Sequence, residues 1–355
     1  MQKFISATEV AEKWNLSIRR VQIFCNEGRI PGAYKQSGVW LIPANATKPE
    51  KIKSGVKTET PKKSIKVVSL FSGCGGMDLG FEGGFPVLKV SVNKNINKDW
   101  KVRSIDKNWV RLPRTRFQTV FANDIRPDAK TAWINYFGKR GTPDSSYYLD
   151  SIVDLVKLYK ENKVNVFPTG IDVVTGGFPC QDFSVAGKRQ GFNSSKSHNG
   201  KEITDEPSVE SRGQLYMWMR EVISIVKPKV FVAENVKGLT NLADVKEIIE
   251  HDFSTVCDGG YIVIPARVLL AAEYGVPQSR ERVIFLGFRK SALTDEALTA
   301  LSQKVIPAEY DPYPVKTHSN QPSGELLPFV TTKQCFWGLQ EPEVTSDVSQ
   351  KKYSK

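Results

Sequence analysis

The sequence predicts an α/β fold, a doubly wound and mostly parallel sheet, with a small winged helix-turn-helix module ahead of it. Three observations predict it. From residue 64 onward, short runs rich in Val, Ile and Phe alternate with segments of helical periodicity, the pattern of successive β-α-β units. The first such run ends in Ser72-Gly73-Cys74-Gly75-Gly76. Glycines at that turn let backbone approach a ligand and let the next helix start close to the sheet. Residues 1–43 follow a different pattern: helix, tight turn, helix, then a short strand.

In chain order, Ser6-Ala7-Thr8-Glu9 offers Ser and Thr as caps for a short amphipathic helix ending at Trp14. Asn15-Leu16-Ser17 reads as a turn, Ile18–Cys25 as a second, basic helix closed by Gly28, and Gly38–Pro43 as a strand. This module resembles the winged helix-turn-helix units of excisionases and MerR-type regulators. The resemblance implies that Arg19, Arg20 and Gln22 face a groove of DNA, with Tyr34–Trp40 as the wing. Residues 44–63 form a linker dominated by Lys, Thr, Pro and Ser. The larger domain spans 64–340, with strands expected at Lys66–Phe71, Thr119–Asn123, Ile171–Thr175, Val230–Glu234, Tyr261–Val268 and Arg282–Phe288. Helices are expected at Ala129–Phe137, Ile152–Glu161 and Leu215–Val226, and residues 341–355 are a polar tail.

Composition narrows the function classes. No apolar stretch approaches the ~18 residues of a membrane span, and the N-terminus lacks a signal peptide's apolar run. A cytoplasmic, reducing home is expected. The five cysteines are far apart and form no C-x-x-C pair, so neither a zinc site nor a disulfide framework is suggested. The net charge of +12 is unevenly spread. Residues 1–66 hold 13 Lys/Arg against 5 Asp/Glu, and residues 86–118 hold 9 against 2, leaving a net of about −3 elsewhere. Two concentrated basic segments favour a polyanionic partner.

A glycine-rich turn alone belongs to many nucleotide folds. Phe71-Ser72-Gly73-Cys74-Gly75-Gly76 with Gly80-Phe81 resembles, more specifically, the first motif of the DNA cytosine-5 methyltransferases, the bacterial restriction-modification type among them. The resemblance implies S-adenosyl-L-methionine as cofactor, its methionine portion wrapped by this loop. An acid at the tip of the second strand suits ribose hydroxyls, and Asp124 fits, with Ile125 against the adenine. Asp124 follows Gly76 by 48 residues, whereas about 20 are usual, and the basic segment 86–118 reads as the insertion responsible. Trp100 and Trp109 within it suit stacking, packing or a plain surface excursion. Asp150 matches the family's third-strand acid, which accepts from the adenine amino group.

Carbon 5 of cytosine is a poor nucleophile until a thiolate adds at carbon 6. The chemistry needs a cysteine, an acid at ring nitrogen 3 and a cation at the ring carbonyl oxygen. Pro179-Cys180-Gln181-Asp182-Phe183-Ser184 resembles the family's nucleophile motif and places Cys180 at the carboxyl end of a central strand, with Pro179 constraining the backbone before it. By the same resemblance Glu234 serves ring nitrogen 3, provided burial raises its pKa, and Asn235 holds the cysteine loop. Gln278-Ser279-Arg280-Glu281-Arg282 matches a Gln-x-Arg-x-Arg motif. It implies that Arg282 contacts the ring carbonyl oxygen and that Arg280 supports it. Residues between Phe183 and Arg212 match the loop that closes after the base is flipped from the duplex, and Leu215 lines the cofactor pocket.

The resemblance stops near residue 340, where the family continues into a variable target-recognition region. The expectation is therefore a split enzyme acting on double-stranded DNA, with recognition on a second polypeptide and an apolar docking surface left exposed. Two other readings stay open: a DNA-binding regulator with an inactive methyltransferase body, and an enzyme acting on RNA, as a close branch of the family does.

Overall fold

The computed structural model describes residues 4–26, 30, 32–36, 39–49, 63–161, 165–179, 215–241 and 244–336. The chain divides into two units, Met1–Pro61 and Lys62–Lys355.

In the first unit, Ser6 caps the helix Ala7–Trp14 through a reciprocal pair: its hydroxyl accepts from the Glu9 amide, and the Glu9 carboxylate accepts from the Ser6 amide. Asn15, in the left-handed region at φ 52°, closes that helix before Ile18–Asn26 begins. The segment 34–43 folds as two antiparallel strands, Tyr34–Gln36 and Val39–Pro43, and Phe4–Ser6 adds a third on the far side of Val39–Pro43. That third strand is too short to show a period and was not expected. Val10, Trp14, Val21, Phe24 and Ile42 make the core. Gly28 and Gly38, expected to end the second helix and start the strand, lie outside the described residues.

In the second unit the principal strands are β1 (Ile65–Leu70), β2 (Phe117–Asn123), β3 (Tyr147–Tyr148), β4 (Val173–Gly176), β5 (Val230–Val236), β6 (Tyr261–Leu270) and β7 (Glu281–Arg289). They form one sheet in the order β6-β7-β5-β4-β1-β2-β3. The strands β5-β4-β1-β2-β3 are parallel, whereas β7 runs antiparallel to both β5 and β6. The central strands β1 and β4 are buried on both faces over Val67–Leu70 and Val173–Gly176, which is why apolar residues dominate both, with Ser69 and Thr175 as their buried polar members. The principal helices are α1 (Gly76–Glu82), α2 (Pro127–Phe137), α3 (Ile152–Lys160), α4 (Leu215–Val226) and α5 (Val245–Ser254).

One face of the sheet packs against α3, α4 and α5 through Phe121, Val174, Phe231, Val156, Met219 and Phe253. A smaller cluster joins β2 and β3 to α2 through Ala122, Tyr147, Trp133 and Phe137. Gly287 of β7 stands opposite Phe231 of β5, and a Cβ there would sit 1.9 Å from the Phe231 ring. The glycine is what lets that ring lie flat against the neighbouring strand.

Three expectations need correction. Phe71 is not part of β1; it lies beyond the strand at φ 52°. The insertion ends at residue 116, because Phe117 and Gln118 already pair in β2. Nor is it a plain excursion, for Pro86–Leu88, Arg103–Ser104 and Trp109–Arg111 form a small antiparallel sheet of their own. Its strands have two or three residues, too few to betray a period of two. Among the described residues no helix is long and apolar enough to cross a membrane.

Candidate active site

The connections leaving β1 and β4 run to opposite sides of the sheet, so a crevice opens at their carboxyl ends, where open α/β sheets place ligands. The chain leaves β1 through two successive constraints. Phe71 takes a positive φ that non-glycine residues seldom adopt, and the Ser72 amide donates to the Asn123 carbonyl (2.8 Å), tying the turn to β2. Gly73 and Gly75 follow at φ 52° and 87°, and Gly75 starts α1. A Cβ on Gly75 would lie 2.5 Å from the Phe137 ring, whereas one on Gly73 or Gly76 would meet nothing within 4 Å. The turn is thus packed on its inner side and open on its outer side.

Two neighbouring strand ends hold this turn. Asp124, just past β2, accepts the Gly73 amide at one carboxylate oxygen (2.9 Å) and the Arg126 amide at the other (3.1 Å). The Tyr147 hydroxyl of β3 donates to the Gly73 carbonyl (3.0 Å), and burial pushes its pKa up, so it remains a donor. Buried Asn123 donates to the carbonyls of Tyr148 (3.2 Å) and Asp150 (2.7 Å), fixing the loop that carries the exposed Asp150 carboxylate. Ile125 is an exposed apolar residue beside Asp124, and Cys74 is exposed on the turn. Leu215 opens α4 and is buried in the main core, which Phe71 also touches.

Sequence reasoning missed Asp78. It lies on α1, fully buried, with the Trp133 indole N–H donating to it (2.7 Å). Burial raises its pKa to about 6. An acid in the first turn of a helix was the available signal.

At the other end of the crevice, β4 runs through Gly177 and the buried Phe178 to Pro179; Cys180 and residues 181–214 lie outside the described residues. A Cβ on Gly176 would meet the Met219 sulfur of α4 at 2.8 Å, so the strand end sits directly on that helix. Asn235 is buried at the end of β5; its amide donates to the Phe178 carbonyl (3.3 Å) and its oxygen accepts the Val236 amide (2.8 Å). One residue earlier, a Glu234 carboxylate oxygen is 2.7 Å from Arg282 Nε and 3.7 Å from an Arg280 terminal nitrogen. Because β7 runs against β5, its first residues meet the last residues of β5, with Arg282 opposite Val236. Glu234 keeps 22% of its side-chain exposure among the described residues, so they leave it partly open. Gln278 is exposed on the turn leading into β7.

The structure therefore brings Glu234, Asn235, Arg280 and Arg282 together beside the strand leading to Cys180, and gathers Gly73, Asp124 and Asp150 at the adjoining strand ends. On the separate N-terminal unit, Arg20 and Gln22 are exposed, the Arg20 guanidinium lying 4.9 Å over the Phe24 ring. The Arg19 side chain lies outside the described residues. Among the described residues no His, Cys, Asp and Glu cluster is arranged to hold a metal ion.

Comparison with known proteins places this geometry. A family model described as C-5 cytosine-specific DNA methylase matches residues 65–352. Type II methyltransferase M.BspRI of Lysinibacillus sphaericus is 33% identical over 277 residues, covering 78% of this chain and 52% of the relative. M.NgoFVII of Neisseria gonorrhoeae and M.BsuRI of Bacillus subtilis, also described as Type II methyltransferases, are each 30% identical, covering 78% and 80% of this chain and 54% and 53% of their own lengths. The chain spans about half the length of the curated relatives it matches. A match that begins at β1 and runs past the last described residue takes in all but three residues at each end of the second unit, and this chain belongs to the C-5 cytosine-specific DNA methylase family.

Proposed function

We propose that the second unit transfers the methyl group of S-adenosyl-L-methionine to carbon 5 of cytosine in double-stranded DNA, with Cys180 as nucleophile. The observation that carries this reading is the grip of Asn235 on the Phe178 carbonyl, two residues before Cys180, beside the Glu234–Arg282 pair.

The residues present fit the cofactor. The outer side of the glycine turn is open at Gly73 and Gly76, so backbone can approach a ligand closely there. Asp124 keeps acceptor capacity beyond its two backbone bonds, since each carboxylate oxygen accepts more than once, and it suits ribose hydroxyls. The exposed Asp150 carboxylate suits the adenine amino group, and Ile125 suits the adenine face. Phe71, Ser72, Cys74, Gly75, Pro179 and Leu215 shape the surrounding wall. When bound, the sulfonium supplies an electrophilic methyl group.

The chain's own residues then do the rest. Both faces of the ring must be reached, so the base leaves the duplex. The Cys180 thiolate adds to carbon 6, and electron density moves to carbon 5. Glu234 holds a proton at ring nitrogen 3, Arg282 donates to the ring carbonyl oxygen, and Arg280 and Gln278 support that pair. Once carbon 5 carries the methyl group, its original proton passes to water, the carbon–sulfur bond at carbon 6 breaks, and the thiolate leaves as the ring's double bond re-forms.

The N-terminal unit is read here as a winged helix-turn-helix that meets DNA through Arg19, Arg20 and Gln22. Its support is the pair of helices joined at Asn15, the three antiparallel strands, and the exposure of Arg20 and Gln22. The chain is incubated with radiolabelled S-adenosyl-L-methionine and either duplex DNA or RNA. Label in DNA as 5-methylcytosine, abolished in Cys180→Ser, is the expected result; label in RNA alone overturns it. Incorporation by the chain alone would overturn the expectation of a second polypeptide for target recognition.

A further inference from the structure

The basic insertion is not explained by the transfer chemistry. Its nine cations, Lys89, Lys94, Lys98, Lys101, Arg103, Lys107, Arg111, Arg114 and Arg116, are all exposed and face only two acids in the same stretch, Asp99 and Asp106. Asp106 is spent on the turn, accepting the amides of Asn108 (2.8 Å) and Trp109 (2.9 Å). Among the described residues none of the nine forms an ion pair. Arg103 and Arg111 stand directly opposite each other on adjacent antiparallel strands, on one face of the small sheet. Like charges in that position destabilise a sheet, and no carboxylate among the described residues relieves these two.

The insertion is nonetheless anchored firmly, and at an informative place. Buried Asn93 donates to the carbonyls of Thr317 (2.9 Å) and Glu325 (2.6 Å) and accepts the Asn95 amide (3.0 Å). His318, also fully buried, donates from Nε2 to the Val90 carbonyl (3.0 Å), since a carbonyl can only accept, and its Nδ1 is hydrogen-bonded with the Thr317 hydroxyl (2.8 Å). A Cβ on Gly275 would lie 2.4 Å from the Ser91 carbonyl oxygen, so backbone meets backbone there. Trp100 and Trp109 share an apolar pocket of about 400 Å³ with Tyr274 and Pro277, and Gln278, the first residue of the Gln-x-Arg-x-Arg segment, follows directly. Buried polar fastening holds uncompensated positive charge on the side of the crevice that carries Arg280 and Arg282.

We propose that this small sheet is a second DNA-contacting surface, which takes the sugar-phosphate backbone of the duplex beside the extruded base. The inference rests on the reading of duplex DNA as substrate. A phosphate backbone supplies the missing counter-charge at any sequence, and its regular spacing suits cations distributed along short strands rather than a single pocket. The sheet therefore contributes affinity and placement, and no choice among bases.

The test is equilibrium binding of a fluorescein-labelled duplex by the full chain, comparing wild type with Lys101→Gln/Arg103→Gln/Lys107→Gln. None of these side chains makes a hydrogen bond or ion pair among the described residues, and the N-terminal helices stay unchanged in both proteins. The variant is expected to bind about tenfold or more weakly at ~0.1 M salt, with a log–log salt slope shallower by roughly 0.9 per lost phosphate contact. Its thermal unfolding and S-adenosyl-L-methionine affinity should match wild type, and Lys101→Arg/Lys107→Arg should restore the wild-type slope for those positions. Equal affinity and equal slope in wild type and variant overturn the inference and leave the sheet to an acidic polypeptide. A wild type without affinity for duplex overturns the substrate reading itself, a separate and recognisable failure.

Discussion

The Asn235 side-chain amide and the Phe178 carbonyl are joined by a 3.3 Å hydrogen bond at the buried carboxyl ends of two central strands, linking the end of β5 to the chain leaving β4. Both partners are buried, so the bond cannot be exchanged for water. Asn235→Ala leaves the carbonyl without its donor and is expected to cost about 1–3 kcal/mol of stability. Turnover should fall while S-adenosyl-L-methionine affinity holds. Thermal unfolding and single-turnover methyl transfer check both halves; unimpaired transfer would show that the cysteine segment is held by something else.

Glu234 and Arg282 make the shortest ion pair of the crevice, yet each keeps roughly a fifth to a quarter of its exposure. A pair so exposed contributes little to stability, about 0–1 kcal/mol. Glu234→Gln should therefore leave the unfolding midpoint nearly unchanged while lowering kcat roughly 10²-fold or more, the usual size of a general acid–base contribution. A large loss of stability with kcat intact would reverse the assignment.

The two glycines of the turn separate packing from ligand approach. Gly75→Ala combines a φ of 87° with a 2.5 Å encounter with Phe137, and should destabilise the fold by at least about 1–3 kcal/mol. Gly73→Ala has open space and carries only the left-handed cost of about 1–2 kcal/mol. Its main effect should be on cofactor binding, read by calorimetry beside the unfolding midpoint. Equal loss of binding per unit of destabilisation in the two variants would sink the distinction.

Asp78 makes the fold sensitive to pH. Its folded pKa, about 6, lies above the ordinary aspartate value of 3.8, so the folded protein binds the extra proton between these values. Stability from this group is fully present below about pH 4 and is lost as pH rises through about 6. In Asp78→Asn that part of the decline should vanish, since the side chain no longer ionises and its oxygen can still accept from Trp133. Unfolding midpoints of the two proteins across this range decide it, and parallel curves would count against the buried carboxyl.

Much of the larger unit was legible in residue order. β1, β4 and β5 announce themselves as short runs rich in β-branched and aromatic residues, and Leu215–Val226 appears where its periodicity puts it. The turn beyond β1 was legible as glycines, but the strain at Phe71 was not, since nothing in a phenylalanine announces a positive φ. β3 carries too few residues to show a period, so it was reached only through the resemblance that makes Asp150 a third-strand acid. The antiparallel run of β7 was equally hidden: strand composition does not encode direction, so the meeting of Arg282 with Glu234 rested on motif resemblance until the register was seen. Asp78 was invisible for a related reason, because its burial comes from Trp133 on a helix 55 positions away.

The reversed strand has a consequence for synthesis. In a sheet of uniform direction, every residue at the carboxyl rim follows its own strand, and a site can be assembled as each strand is added. Here Arg280 and Arg282 reach that rim only because β7 enters the sheet backwards, and β6, which precedes it in the chain, pairs with β7 alone. A growing chain that has folded as far as β6 holds Glu234 and Asn235 with no cation opposite them. Because β6 pairs with β7 alone, the two strands are expected to join the sheet together, and a ribosome-bound chain shorter than about Arg289 lacks the Glu234–Arg282 pair.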